Sequence, residues 1–94
     1  MREVIVWERV HNILWQNLGE EAYNSLRDRL FGSLETRYDR LRRERHPEDE
    51  TLFVFTLYLI DGNNRHQFEF HVDDTTTDAH VFVLDVVHTL ETVS

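Results

Sequence analysis

The chain has no cysteine, no lysine, a single proline and three glycines among its 94 residues. Without cysteine there is no disulfide framework and no thiolate zinc site. The three glycines, Gly19, Gly32 and Gly62, are too scattered to form a phosphate-cradling loop. The serines Ser25, Ser33 and Ser94 do not sit in a G-x-S-x-G elbow. No apolar run approaches the roughly 18 residues that a transmembrane helix needs. The first ten residues, MREVIVWERV, carry Glu3, Glu8 and Arg9 and lack the uninterrupted apolar core of a signal peptide. The expected location is therefore the cytoplasm. All ten cations are arginine, which keeps its charge and pairs bidentately with carboxylates. Complete loss of lysine is read as genome composition, from a GC-rich or salt-adapted source.

What is present is globular in character: 40% apolar and 30% charged residues, with 12% aromatics to fill a core. Residues 1–94 make one domain. A domain of this size hides only roughly 60–65% of its unfolded surface. The formal charge of −8 opposes contact with nucleic acid or anionic lipid. Neither is an expected partner.

Residues 4–18 fit an amphipathic helix. Val4, Trp7, Val10, Leu14, Trp15 and Leu18 share a face, with Glu8, Arg9, Asn12 and Gln16 opposite. A rival reading makes Glu3–Trp7 a short strand, because Val4-Ile5-Val6-Trp7 is β-prone. Residues 20–45 read as a second helix. Ala22, Leu26, Leu30, Leu34 and Tyr38 step by four, acids open it and arginines close it. Pro47 ends it.

The second half is dominated by Thr51–Ile60, TLFVFTLYLI, then Asp61-Gly62-Asn63-Asn64, then Arg65–Val72, RHQFEFHV. This is a β-hairpin over 51–72. The turn sets Ile60 opposite Arg65, Leu57 opposite Phe68, Phe55 opposite Phe70 and Phe53 opposite Val72. One face then carries Phe53, Phe55, Leu57, Leu59, Phe68, Phe70 and Val72. The other mixes Val54, Thr56, Tyr58 and Ile60 with Arg65, Gln67, Glu69 and His71. A slip by one residue would put polar side chains among the aromatics, so the register is firmly set. Thr75 and Asp78 have capping-box spacing. After them Ala79, Phe82, Val83, Val86, Val87, Leu90 and Val93 fall on one side of a helical wheel, which predicts a helix over about 78–93. The β-branched content favours a third strand instead.

The expected fold is α+β, a single layer of helices on an antiparallel hairpin in the order α-α-β-β-α, with α-α-β-β-β as the alternative. A two-stranded sheet is weak alone, and a strand apolar on both faces needs cover on both. The second cover is expected from another copy of the chain.

The residues offer little chemistry. His11, His46, His66, His71, His80 and His88 form no H-E-x-x-H pattern and no Cys/His ligand set. Asp73, Asp74 and Asp78 lack the spacing of a calcium loop. No metal, cofactor or catalytic residue is assigned. Arg37, Arg40, Arg42, Arg43, Arg45 and His46 make a basic patch, read first as a helix end matched to its dipole and second as a contact for phosphate or an acidic partner. An Arg–His spacing in this run also resembles helical ribonuclease sites, but nothing else supports that.

The functional expectation is a non-enzymatic protein–protein interaction module that self-associates, as a homodimer with a regulatory or structural role. Its interface is placed on Val54, Tyr58 and Ile60, with Val81 and Leu84 from the last element. One alternative is a small acidic inhibitor of viral or mobile-element origin that occupies a basic site on its target. Another is nucleic-acid contact through the arginine-rich segment. A third is an enzyme assembled at a dimer cleft from histidines and carboxylates.

Overall fold

A computed structural model describes residues 3–35 and 44–92. It contains two helices and a five-stranded mixed sheet. In chain order these are β1 (Glu3–Val6), α1 (Glu8–Asn17), α2 (Glu20–Glu35), β2 (Glu44–Arg45), β3 (Leu52–Asp61), β4 (Asn64–Asp73) and β5 (His80–Thr92). Across the sheet the order is β1-β5-β4-β3-β2. Strands β2 to β5 form an antiparallel meander, and β1 joins β5 in parallel.

This corrects the α-α-β-β-α expectation at both ends. The Val4-Ile5-Val6 run is a strand, not the start of a helix, and α1 begins only at Glu8. The last element is a strand, not a helix over 78–93. Even the α-α-β-β-β alternative lacks β1. The second helix stops at Glu35 within the described residues, and Glu44–Arg45 pairs with Phe53 and Val54 as β2. The helix expected over 20–45 therefore does not reach its far end. The capping box is also absent. Asp73 instead accepts hydrogen bonds from Thr75 and Thr76, through both backbone N–H and hydroxyl groups, at 2.6–3.3 Å. That turn leads into a strand, because an Asx turn satisfies backbone donors without starting a helix.

The hairpin is built as its sequence dictates. Ile60 faces Arg65, Leu57 faces Phe68, Phe55 faces Phe70 and Phe53 faces Val72. Gly62 takes φ 60°, the left-handed conformation that a two-residue turn demands.

The helices cover one face of the sheet. On α1, Val10 and Leu14 point inward; on α2, Leu26, Leu30 and Leu34 do so, all at most 2% exposed. They meet Val4, Phe53, Phe55, Phe68, Phe70, Val72, Val81, Val83 and Val86 from the strands. The four-residue spacing on each helix turns these side chains to one side. Burying each large one stabilises the fold by about 1.5–3 kcal/mol relative to exposure. The stack of Phe55 on Phe70, with ring centroids 5.2 Å apart, anchors the middle of this layer. Strand alternation breaks once. The β4–β5 register shifts between His71 and Val72, so Val72 opposes Val83, His71 opposes Asp85, and Leu84 is the extra residue of a bulge.

Candidate functional site

Strand pleating puts every second residue on the face away from the helices. From β3 these are Leu52, Val54, Thr56, Tyr58 and Ile60. In register they stand beside Asp73, His71, Glu69, Gln67 and Arg65 of β4. Beyond the bulge, β5 adds Val87 opposite Glu69, Thr89 opposite Gln67 and Glu91 opposite Arg65. The open face is therefore apolar along β3, polar along β4 and mixed along β5. Ile60 is 70% exposed, Val87 48% and Tyr58 47%. Arg65 bridges the face: its guanidinium lies 4.9 Å from the Tyr58 ring centroid and its Nη2 is 3.0 Å from Glu91 Oε2. The Arg65 Nε is buried under these contacts without an acceptor among the described residues.

Of the five interface candidates, Val54, Tyr58 and Ile60 lie on this face. Leu84 is half-buried at the bulge. Val81 is misplaced: it is fully buried in the core under the helices. Its pairing with Val4 in parallel register turns it inward.

At the β2 end of the open face lies a depression of about 360 Å³ lined by Glu44, Val54, Phe55, Thr56, Tyr58 and Glu69. Beside it, His71 Nε2 is 3.4 Å from Glu69 Oε2, and the His46 and His71 rings meet edge to face at 4.9 Å. Two imidazoles and a carboxylate invite a metal. The tautomers oppose it. His46 Nδ1 accepts the Glu48 backbone N–H at 3.0 Å, which places the neutral ring's proton on Nε2, the nitrogen a metal would need. Among the described residues no three such side chains converge on a metal position. A second depression of about 500 Å³, at the start of α2, is lined by Glu20, Glu21, Ser25, Leu59, Ile60 and Asp61 among others. Its acids counter the anion-attracting end of the helix.

Of the basic patch, Arg37, Arg40, Arg42 and Arg43 fall outside the described residues. Arg45 Nη1 donates to the Glu50 carbonyl at 3.1 Å, and His46 is held by Glu48 as above. Both belong to the turn that brings β2 onto β3.

One hydroxyl, one imidazole and one carboxylate fall in triad order. Thr77 Oγ1 is 3.1 Å from His80 Nδ1, and His80 Nε2 is 3.5 Å from Glu3 Oε2. The Thr77 hydroxyl also accepts the His80 backbone N–H at 3.0 Å. That bond is the ordinary closure of a turn into a strand. The group is largely exposed and lines neither depression, so it lacks the water-excluding surroundings that acyl transfer needs.

A polar cluster inside the fold, among the described residues, escaped sequence reasoning. His66 on β4 and His88 on β5 share the helix-covered face, with His66 Nδ1 2.9 Å from His88 Nε2. His66 is only 6% exposed. Burial, aided by the neighbouring His66, holds the His88 pKa below its ordinary 6.5. The pair becomes visible in the sequence only once residues 80–92 are laid down as a strand.

These arrangements stand without outside help: no protein-family model, no curated protein and no solved structure matches this chain.

Proposed function

We propose that this chain is a non-enzymatic interaction module that self-associates, with a second copy covering the open face of the sheet. The observation that supports the reading is the line of apolar side chains on β3, from Val54 through Tyr58 to Ile60, left uncovered beside Val87. Long strands of ten to thirteen residues span roughly 33 Å or more, and three of them side by side are roughly 15 Å wide counting their side chains. That is about 500 Å² in projection. A standard interface takes about 800 Å² per partner, so the face is of the right order once side-chain relief is included. Arg65 and Tyr58, towards the hairpin end of this face, are residue types that suit an interface anchor.

Two copies of charge −8 repel one another. Added salt shortens the screening length to about 10 Å at 0.1 M, so association strengthens as salt rises. Sedimentation velocity across micromolar concentrations, at low and moderate salt, tests the proposal. The expected result is a monomer–dimer equilibrium that salt drives towards dimer and that Ile60→Asp abolishes. A monomer under every condition overturns it.

A second reading draws on the depression at Glu44, Glu69 and Tyr58. Two carboxylates beside an aromatic ring suit a basic side chain. An acidic protein bearing such a pocket fits an inhibitor that occupies a basic site on its target. Its test is binding to an arginine-rich peptide, which Glu44→Gln together with Glu69→Gln should weaken. Equal binding by the wild type and the double variant excludes it.

A further inference from the structure

The stretch of β5 beyond Val83 has no partner strand other than β4 among the described residues, since β1 pairs only with His80–Val83. On the helix-covered side it is held by Val86 in the core and, nearer its end, by the contact between His66 and His88. Their rings stack at 5.2 Å, and Phe68 stacks on His88 at 4.8 Å and on His66 at 6.0 Å. We propose that His66 and His88 form a proton-operated latch that closes the end of β5 onto β4 when both rings are neutral and opens when they take up protons.

Two facing nitrogens 2.9 Å apart share one hydrogen bond, so one nitrogen carries a proton and the other offers a lone pair. A first added proton keeps that bond but places a positive charge in a largely apolar corner. A second puts an N–H on both facing nitrogens, and the bond becomes a repulsive contact. The aromatic neighbour Phe68 and the register neighbours Leu59 and Leu90 supply no counter-charge.

The other titratable groups nearby are otherwise engaged or turned away. On α1, His11 Nδ1 lies 2.7 Å from the Tyr23 hydroxyl of α2. Glu8 and Arg9 sit at the start of α1, where Arg9 Nε donates to the Leu84 carbonyl. Glu20 and Glu21 of α2 and Asp61 of β3 line the depression at the start of α2. Arg27, Asp28 and Arg29 lie further along α2, with Arg29 Nη1 on the Tyr58 carbonyl. Arg65, Glu69, His71 and Asp73 of β4 and Glu91 of β5 point to the open face, and Asp85 occupies the bulge. No ion pair joins any of these to His66 or His88 among the described residues.

The sign is fixed. With the folded pKa of His88 below 6.5, the unfolded or opened strand binds more protons. Closure is complete above 6.5 and weakens as pH falls through the folded value. His71 beside Glu69 and His80 beside Glu3 make contacts of their own elsewhere in the sheet, so the readout must be local.

Amide hydrogen exchange, corrected to protection factors, supplies it on the full chain. Between pH 7.5 and 5.5 the amides of Val86 to Leu90 should lose about tenfold protection or more, as uptake of one to two protons allows. Amides of Phe53 to Leu57 should hold. The variant His66→Asn with His88→Gln keeps amide groups where Nδ1 and Nε2 stood but cannot titrate, and it should remove the local loss. NMR of the histidine rings in the wild type adds a measurement independent of any variant: the His88 ring should titrate below the ordinary 6.5, and its protonation should perturb the facing His66 ring. Unchanged protection of Val86 to Leu90 at pH 5.5, or a His88 ring that titrates at or above 6.5, overturns the latch.

Discussion

Val4 lies beside Val81 in parallel register, joining the first strand of the chain to the last. The contact is buried on both sides, at 7% and 0% exposure. β1 has only four residues and, among the described residues, no other strand neighbour. Val4→Ala should therefore cost about 2 kcal/mol, from two lost methyl groups and the space they leave. The urea midpoint measures it. A change under about 0.5 kcal/mol would mean that β1 contributes little to the sheet.

The two faces of the sheet should respond in opposite ways to truncation. Phe70 is fully buried and stacks on Phe55, while Ile60 is 70% exposed. Phe70→Ala should cost about 3–5 kcal/mol. Ile60→Ala should stay within about 0.5 kcal/mol in the monomer. Comparing the two below the dissociation constant for self-association separates fold stability from assembly.

Glycine is required at one position and dispensable at another. Gly62 at φ 60° needs the left-handed region, so Gly62→Ala should cost about 1–2 kcal/mol. Gly32 lies inside α2, and a methyl there meets nothing within 4 Å. Gly32→Ala should stabilise by up to about 1 kcal/mol. Thermal melts of both variants decide the matter. A stabilised Gly62→Ala would contradict the turn.

Asp73 gathers four hydrogen bonds from two threonines ahead of β5. Burial pushes its pKa up, but the bonds from Thr76 and Thr75 outweigh that and hold it below 3.8. A carboxylate depressed in the folded state contributes stability that is present above the unfolded value and is lost as pH falls through the folded one. Asp73→Asn should therefore destabilise the protein at pH 7. The difference from wild type should shrink as pH falls below 3.8. A pH-independent difference would show that the carboxylate's charge is immaterial.

The hairpin was legible because two signals agree. Aromatic residues alternate on both strands, and Gly62-Asn63 supplies a turn that fixes their pairing. β5 was legible only as the alternative to a helix, from its β-branched content, and the bulge explains why the helix was preferred. Its buried residues are Val81, Val83 and Val86. The extra residue Leu84 turns a spacing of two into a spacing of three. A period-two pattern with one slip resembles a period of 3.6, and the wheel over 78–93 accepted it. β1 was obscured differently. Its inward residues Val4 and Val6 flow into the helical pattern of α1 with only Trp7 between them, and the partner that makes β1 a strand lies some 75 residues away along the chain. Local propensity cannot report such a partner. Tyr58 and Ile60 are exposed, as the phase set by the turn implies, whereas Val81 takes its buried phase from pairing with β1.

The parallel pairing of β1 with β5 also bears on how the polypeptide is made. Residues 3–6 leave the ribosome well before the stretch they bind, His80–Val83, has been made. The helices and the hairpin can assemble meanwhile, but the outermost ribbon must wait. During that interval the Val4-Ile5-Val6 segment is an unshielded adhesive strip, the stage of synthesis at which a nascent chain is most prone to stick to its neighbours.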